Sequence, residues 1–150
     1  MLQYHLSFLI INVMIKKNGG IYMSYIKHRA DESLEDYLET ILLLQKKIGQ
    51  VRSIDIANEM NFTKASVSVA MKNLREKKYI TMASDGFITL TRSGKERAES
   101  VLEKHTILAE LLIHIGVSED IAKKDACRIE HDLSNESFEA IKKEWNKIKN

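Results

Sequence analysis

Cys127, Glu130 and His131 lie three and four residues apart near the C-terminal end of the chain. On a helix turning about 100° per residue they share one face within roughly a quarter-turn. A thiolate, a carboxylate and an imidazole could therefore converge on one cation. That mixed donor set suits a transition metal, whereas calcium and magnesium take oxygen ligands. Ala122, Ala126, Ile129 and Leu133 form the expected apolar stripe of the same helix, pointing nearly the opposite way. A lone cysteine on the polar face is odd for a packing residue, because cysteine is among the most buried residue types. The spacing equally fits a solvated Glu–His pair beside an incidental cysteine. Asp36 and Glu39, three apart and away from the apolar stripe of an earlier helix, could supply two more carboxylates or simply face water. His105 falls on a stripe with Ala98, Val101, Leu102, Ala109 and Leu112, where a histidine is ordinarily a hydrogen-bonded core residue.

Six predicted helices and one hairpin carry these groups. Ser33 to Lys47 repeats Leu34, Tyr37, Leu38, Ile41, Leu42 and then Ile48 at helical spacing, with Gly49 as a stop signal. Ser53 is placed to cap a short second helix, SIDIANEM, and Asn61-Phe62 to turn into Thr63, the expected cap of a third helix. Val67, Ala70, Met71 and Leu74 give that third helix its buried stripe. Tyr79 to Ala83 and Phe87 to Leu90 read as two short strands around Ser84-Asp85-Gly86. Helix, tight turn, helix and hairpin in that order predict a winged helix-turn-helix. A fourth helix follows from Thr91 to about Ile115, a fifth from Ser118 to Leu133, and a sixth from Asn135 bearing Phe138, Ile141, Trp145 and Ile148. Three helices enclose little alone, so they predict a dimerisation layer built from two subunits.

Composition agrees. Proline is absent and aromatic residues make up only 7%, which leaves long helices unobstructed and points to a mostly α fold. A single cysteine excludes an internal disulfide framework and suggests the cytoplasm. The apolar run Leu6–Ile15 is about half of the ~20 residues a membrane-spanning helix needs, and it lacks the flanks of a signal peptide. Residues 1–32 read as an N-terminal extension, within which Met23 is a candidate true start. Residues 33–92 read as the DNA-binding domain and 93–150 as the helical metal-binding and dimerisation domain. The net charge of +2 says little, but its distribution says more. Residues 61–97 carry eight Lys or Arg against three acids, a net +5, and residues 98–141 carry four against ten, a net −6. A basic block followed by an acidic one fits a DNA-facing module joined to one that gathers cations, although either block is also compatible with a solvated surface.

At these residues the chain resembles the metal-dependent repressors related to the diphtheria-toxin repressor and the manganese transport regulator. The likeness runs from about Ser33 to Ile148 through EDYLETI, VRSIDIA to ASVSVAMKNL, GFITLTRSGKERA, the Lys104-His105 pair and DACRIEHDLS. The resemblance implies that Asp36, Glu39, His105, Cys127, Glu130 and His131 bind metal, and that a homodimer binds a palindromic double-stranded operator. It implies Mn(II) or Fe(II) as the activating ion, in a repressor of metal-uptake genes and not an enzyme. The match is a hybrid: manganese-type members carry a glutamate where this chain has Cys127, and iron-type members carry a methionine where it has Asp36. Ala109 and Lys123 stand where iron-type members hold a second metal site.

Ions bridging the two halves would set the distance between the recognition helices of a dimer, which must match half-sites about one helical turn apart. The expected DNA contacts are Thr63, Lys64, Ser66 and Ser68 toward the major groove, with Lys72 and the Ser53 end of the second helix on phosphates. Two other readings use the same residues. One is a winged-helix regulator that answers to an organic ligand or a partner. The other is a thiol enzyme with Cys127 as nucleophile and His131 as base, for which no oxyanion donors or substrate loop can be identified.

Overall fold

No proline or glycine stands between Gly20 and Gly49, and the first helix of the computed structural model uses the whole interval. The structure describes residues 19–149. Helix α1 spans Gly19–Ile48, starting well before the predicted Ser33 because nothing in the intervening sequence breaks it. The Leu6–Ile15 run lies outside the described residues. The chain divides into two units between Leu34 and Glu35, and everything below concerns the second.

From Glu35 onward, α1 buries Tyr37, Leu38, Ile41, Leu42 and Leu44, while Ile48, predicted for the same stripe, is half exposed at the helix end. Gly49 (φ 79°) ends the helix in the left-handed region that a side chain disfavours. Helix α2 (Ser53–Met60) begins one residue earlier than the sequence suggests: Arg52 is the cap position, and its N–H donates to the Asp55 carboxylate at 2.8 Å. Asn61, in the left-handed conformation, closes α2. Thr63 then caps α3 (Lys64–Glu76) by accepting the Ser66 N–H at 3.2 Å. Val67, Ala70, Met71 and Leu74 are buried, as the period predicts. The rings of Tyr37 and Phe62 meet edge-on, centroids 6.0 Å apart, and so tie the α2–α3 turn to α1.

Strands β1 (Ile80–Met82) and β2 (Ile88–Leu90) pair antiparallel with Thr81 opposite Thr89. The hairpin is anchored inward by the Ile88 N–H donating to the Val51 carbonyl at 2.8 Å and by Ile80 and Ile88, both buried. Outward, the Arg52 guanidinium lies 4.3 Å from the Phe87 ring centroid. Helix α4 (Arg92–His114) starts from Thr91, whose hydroxyl accepts the Gly94 N–H at 3.1 Å and donates to the Lys78 carbonyl at 2.8 Å. Gly94 is required there, since a Cβ would stand 1.9 Å from the Tyr79 carbonyl oxygen. Helices α5 (Glu119–Asp132) and α6 (Asn135–Lys149) complete the unit. Ala126 packs with Leu108 and Ala109 of α4, with Leu133 and Ile141 alongside. Phe138 and Trp145 are buried, but Ile148 is exposed. Among the described residues, no helix is long and apolar enough to cross a membrane.

Candidate metal centre and DNA face

Three helices bring their polar residues to one place. Asp36 and Glu39 come from α1, His105 from α4, and Cys127, Glu130 and His131 from α5. Ligand atoms of Asp36, Cys127, Glu130 and His131 all lie within 4.8 Å of one another, as do those of Glu39, His105 and Glu130. Glu130 therefore belongs to both groups.

Its surroundings differ from what helical periodicity suggests. The buried stripe of α5 is Ala122, Ala126 and Glu130, a step of four, while Ile129, expected on that stripe, is 38% exposed. Glu130 is 2% exposed, which a carboxylate tolerates only with partners. His105 provides one: its Nδ1 is 3.1 Å from Glu130 Oε2, so this half-buried histidine is hydrogen-bonded, and its partner is a buried carboxylate. Glu130 Oε1 makes no hydrogen bond, with His131 Nε2 at 3.5 Å from it. A buried oxygen without a donor, set among other candidate ligands, fits a cation. Cys127 is exposed at the rim.

His131 is held on both ring nitrogens. Nε2 lies 2.9 Å from Asp36 Oδ1 and Nδ1 lies 3.0 Å from Glu35 Oε2. Hydrogen bonds to Asp36, Cys127 and Glu35 outweigh burial and push its pKa up to about 12. The hydrogen bond to Glu130 likewise raises His105. Burial, reinforced by repulsion from Glu130, raises the Glu39 carboxyl, and burial raises Glu130 itself. The raised imidazoles beside these carboxyls favour positive charge in the centre, a role that divalent cations can take over. The residues present fit a transition ion, with thiolate, imidazole and carboxylate donors together.

Glu35 and Arg97 are not among the residues the sequence singles out. Burial pushes the Glu35 carboxyl up, but the hydrogen bond with His131 and the Arg97 charge hold it below its ordinary value. Arg97 reaches Glu35 Oε1 with Nε at 3.0 Å and Nη2 at 2.8 Å, and donates from Nη1 to the Tyr79 hydroxyl at 3.0 Å. The separation of 62 residues between Glu35 and Arg97 leaves no local pattern to read.

On the winged-helix side, Thr63, Lys64, Ser66, Ser68 and Lys72 are exposed and Ser53 is half-buried at the start of α2. The Thr63 and Ser66 hydroxyls are 2.9 Å apart and occupied with capping. Ser53, Ser68 and Lys72 line one open cleft of about 310 Å³, together with Val69, Met71, Met82 and Arg75, a cation the sequence reading omits.

Residues 31–86 match the family model for the N-terminal DNA-binding domain of iron-dependent repressors, and residues 91–150 match the metal-binding and dimerisation domain of the same family. An uncharacterised HTH-type transcriptional regulator of Methanocaldococcus jannaschii is 35% identical over 113 residues, covering 74% of this chain and 90% of that protein. The transcriptional regulator MntR of Escherichia coli is 32% identical over 111 residues, covering 74% of this chain and 72% of MntR. Among solved structures, the manganese regulator SloR superimposes with a TM-score of 0.67 at 26% identity, over 75% of this chain and 53% of SloR, so the chain spans about half the length of that relative.

Proposed function

The chain belongs to the iron-dependent repressor family, whose members are metal-dependent transcriptional regulators, and from that premise we propose that it couples Mn(II) or Fe(II) availability to operator binding as a homodimer. The observation that carries this reading is the pair of ligand groups meeting at Glu130. Asp36, Cys127, Glu130 and His131 would hold one ion, and Glu39, His105 and Glu130 a second. Bound there, such ions would supply the positive charge that allows the Cys127 thiol and the His105 and His131 imidazoles to act as ligands without their protons.

The protein's own part is positional. Asp36 and Glu39 lie on the helix against which the α2–α3 turn packs through Tyr37 and Phe62. His105 and the α5 ligands belong to the helices assigned to dimerisation. Drawing the acidic residues of α1 toward α4 and α5 fixes the recognition helix relative to the dimer face, a coupling of about 1–3 kcal/mol in typical cases. Exposed Ile113, Ile115, Ile121 and Ile129 on or beside α4 and α5 support a second copy as the partner of that face. Thr63, Lys64, Ser66 and Ser68 would address the operator, and Ser53, Lys72 and Arg75 its phosphates. Regulation is favoured over thiol catalysis because both nitrogens of His131, the base that reading requires, are engaged by carboxylates.

The test is anaerobic selection from a random-sequence duplex pool with Mn(II), Fe(II), Co(II), Zn(II) or a chelator. Metal-dependent enrichment of a two-fold symmetric sequence is expected. Equal enrichment under chelation would transfer the reading to a winged-helix regulator that answers to something other than a metal.

A further inference from the structure

We propose that Glu35 is a positioning residue of the metal centre, which orients His131 from behind and, through Arg97 and Tyr79, ties the centre to the junction of the recognition helix and the wing. The inference rests on the metal reading above but concerns residues outside both ligand groups. Glu35 divides its two oxygens: Oε2 takes His131 Nδ1 at 3.0 Å, and Oε1 takes Arg97 at 3.0 and 2.8 Å. A carboxylate on one imidazole nitrogen fixes the tautomer, turns the other nitrogen toward the ligands and makes it a better donor. Here that other nitrogen, Nε2, faces Asp36 at 2.9 Å and Glu130 at 3.5 Å. Because Arg97 grips the opposite oxygen, Glu35 cannot rotate away without breaking a charge-assisted pair.

The same contacts lead outward. Arg97, on α4, donates to the Tyr79 hydroxyl at 3.0 Å, and its guanidinium carbon is 5.5 Å from the Tyr79 ring centroid. Tyr79 is the last residue before β1 in the link from α3. Its N–H donates to the Leu74 carbonyl at 2.9 Å, near the end of the recognition helix, and its carbonyl accepts the Thr91 N–H at 2.9 Å. Helix α4 is pressed on that carbonyl at Gly94. A displacement of His131 is thereby passed through Glu35 and Arg97 to Tyr79, which contacts α3 and α4 and leads into β1. With side-chain exposures of 6% for His131, 21% for Glu35 and 36% for Arg97, the inner links are shielded from competing water.

Co(II) is the probe. Its affinity, stoichiometry and absorption spectrum are measured for the parent, Glu35→Gln, Arg97→Met and Tyr79→Phe, alongside metal-free melting temperatures and the ratio of DNA affinities with and without metal. Glu35→Gln is expected to weaken Co(II) binding about 10- to 100-fold with unchanged stoichiometry. Arg97→Met should shift it in the same direction. Tyr79→Phe should leave Co(II) affinity within about twofold while cutting the metal-induced gain in DNA affinity at least about threefold, out of the roughly 5- to 150-fold typical of such coupling. Parent-like Co(II) affinity in Glu35→Gln overturns the positioning role and leaves the metal reading intact. Loss of one bound ion in that variant overturns it too, since Glu35 would then be a ligand. A full DNA response in Tyr79→Phe overturns the outward link. A parent that binds no Co(II) removes the metal reading and this inference together.

Discussion

Glu130 is the residue around which the centre is organised, and Cys127 is the one that sets its character. Glu130 is buried with an oxygen left without a hydrogen bond, whereas Cys127 stands exposed at the edge. Exposure means that Cys127 can be exchanged without repacking the core. Thiolate is a soft donor among hard carboxylates, and it favours Fe(II) over Mn(II). Cys127→Glu should therefore lower the ratio of Fe(II) to Mn(II) affinity by roughly tenfold, read by anaerobic competition against a chelator dye. An unchanged ratio would mean that the thiol does not ligate. The convergent positions are legible in the sequence because helical spacing of three and four puts polar donors on one face. The burial of Glu130 is not legible, since a glutamate one turn beyond Ala126 looks solvated until His105 arrives from another helix. Glu35 is hidden for a similar reason: next to Asp36 it reads as one more acid on a charged helix.

At the scale of elements, the turn chemistry is written in the sequence more clearly than the close approaches. Thr63, Thr91, Gly49 and Gly86 act where their types suggest, and the α3 stripe is buried as its period requires. Arg52, not Ser53, takes the cap position of α2, and its N–H donates to the Asp55 carboxylate. Gly94 looks like a weak position inside a helix, yet it is a point of contact between α4 and the Tyr79 backbone. Gly94→Ala should cost on the order of 1–3 kcal/mol in denaturant unfolding, because backbone on both sides must shift. A stabilised variant would contradict the packing. Lys72 lines the cleft of Ser53, Ser68 and Arg75, and its link to Glu76 is long at 3.9 Å and exposed. Lys72→Ala should weaken DNA binding about equally on all sequences and flatten the slope of log affinity against log salt by roughly one. A change in base preference would show instead that Lys72 reads bases.

For the molecule as a whole, the centre makes stability depend on pH, and supplied metal opposes that dependence. His131 titrates near 6.5 in the unfolded chain and about 12 in the fold, so its stabilising contribution is complete below 6.5 and is lost as pH rises toward 12. Glu39 and Glu130 are raised above 4.5, so they too favour the fold in their neutral forms and penalise it increasingly as pH climbs past that value. Glu35 is lowered and acts only at the acid end, where its contribution disappears as pH falls below 4.5. Metal-free protein should accordingly melt at a lower temperature at about pH 8 than at about pH 6. Ligation displaces those protons, so Mn(II) affinity rises over the same interval. At about one hundred times its dissociation constant an ion adds about 2.7 kcal/mol, or roughly 5–10 °C for a chain of this size, and the increment should be larger at about pH 8. Melting curves with chelator and with a fixed Mn(II) concentration at both pH values decide it. A metal increment that is the same at the two values would mean that the protons on His131 and the raised carboxyls are not what the cation replaces.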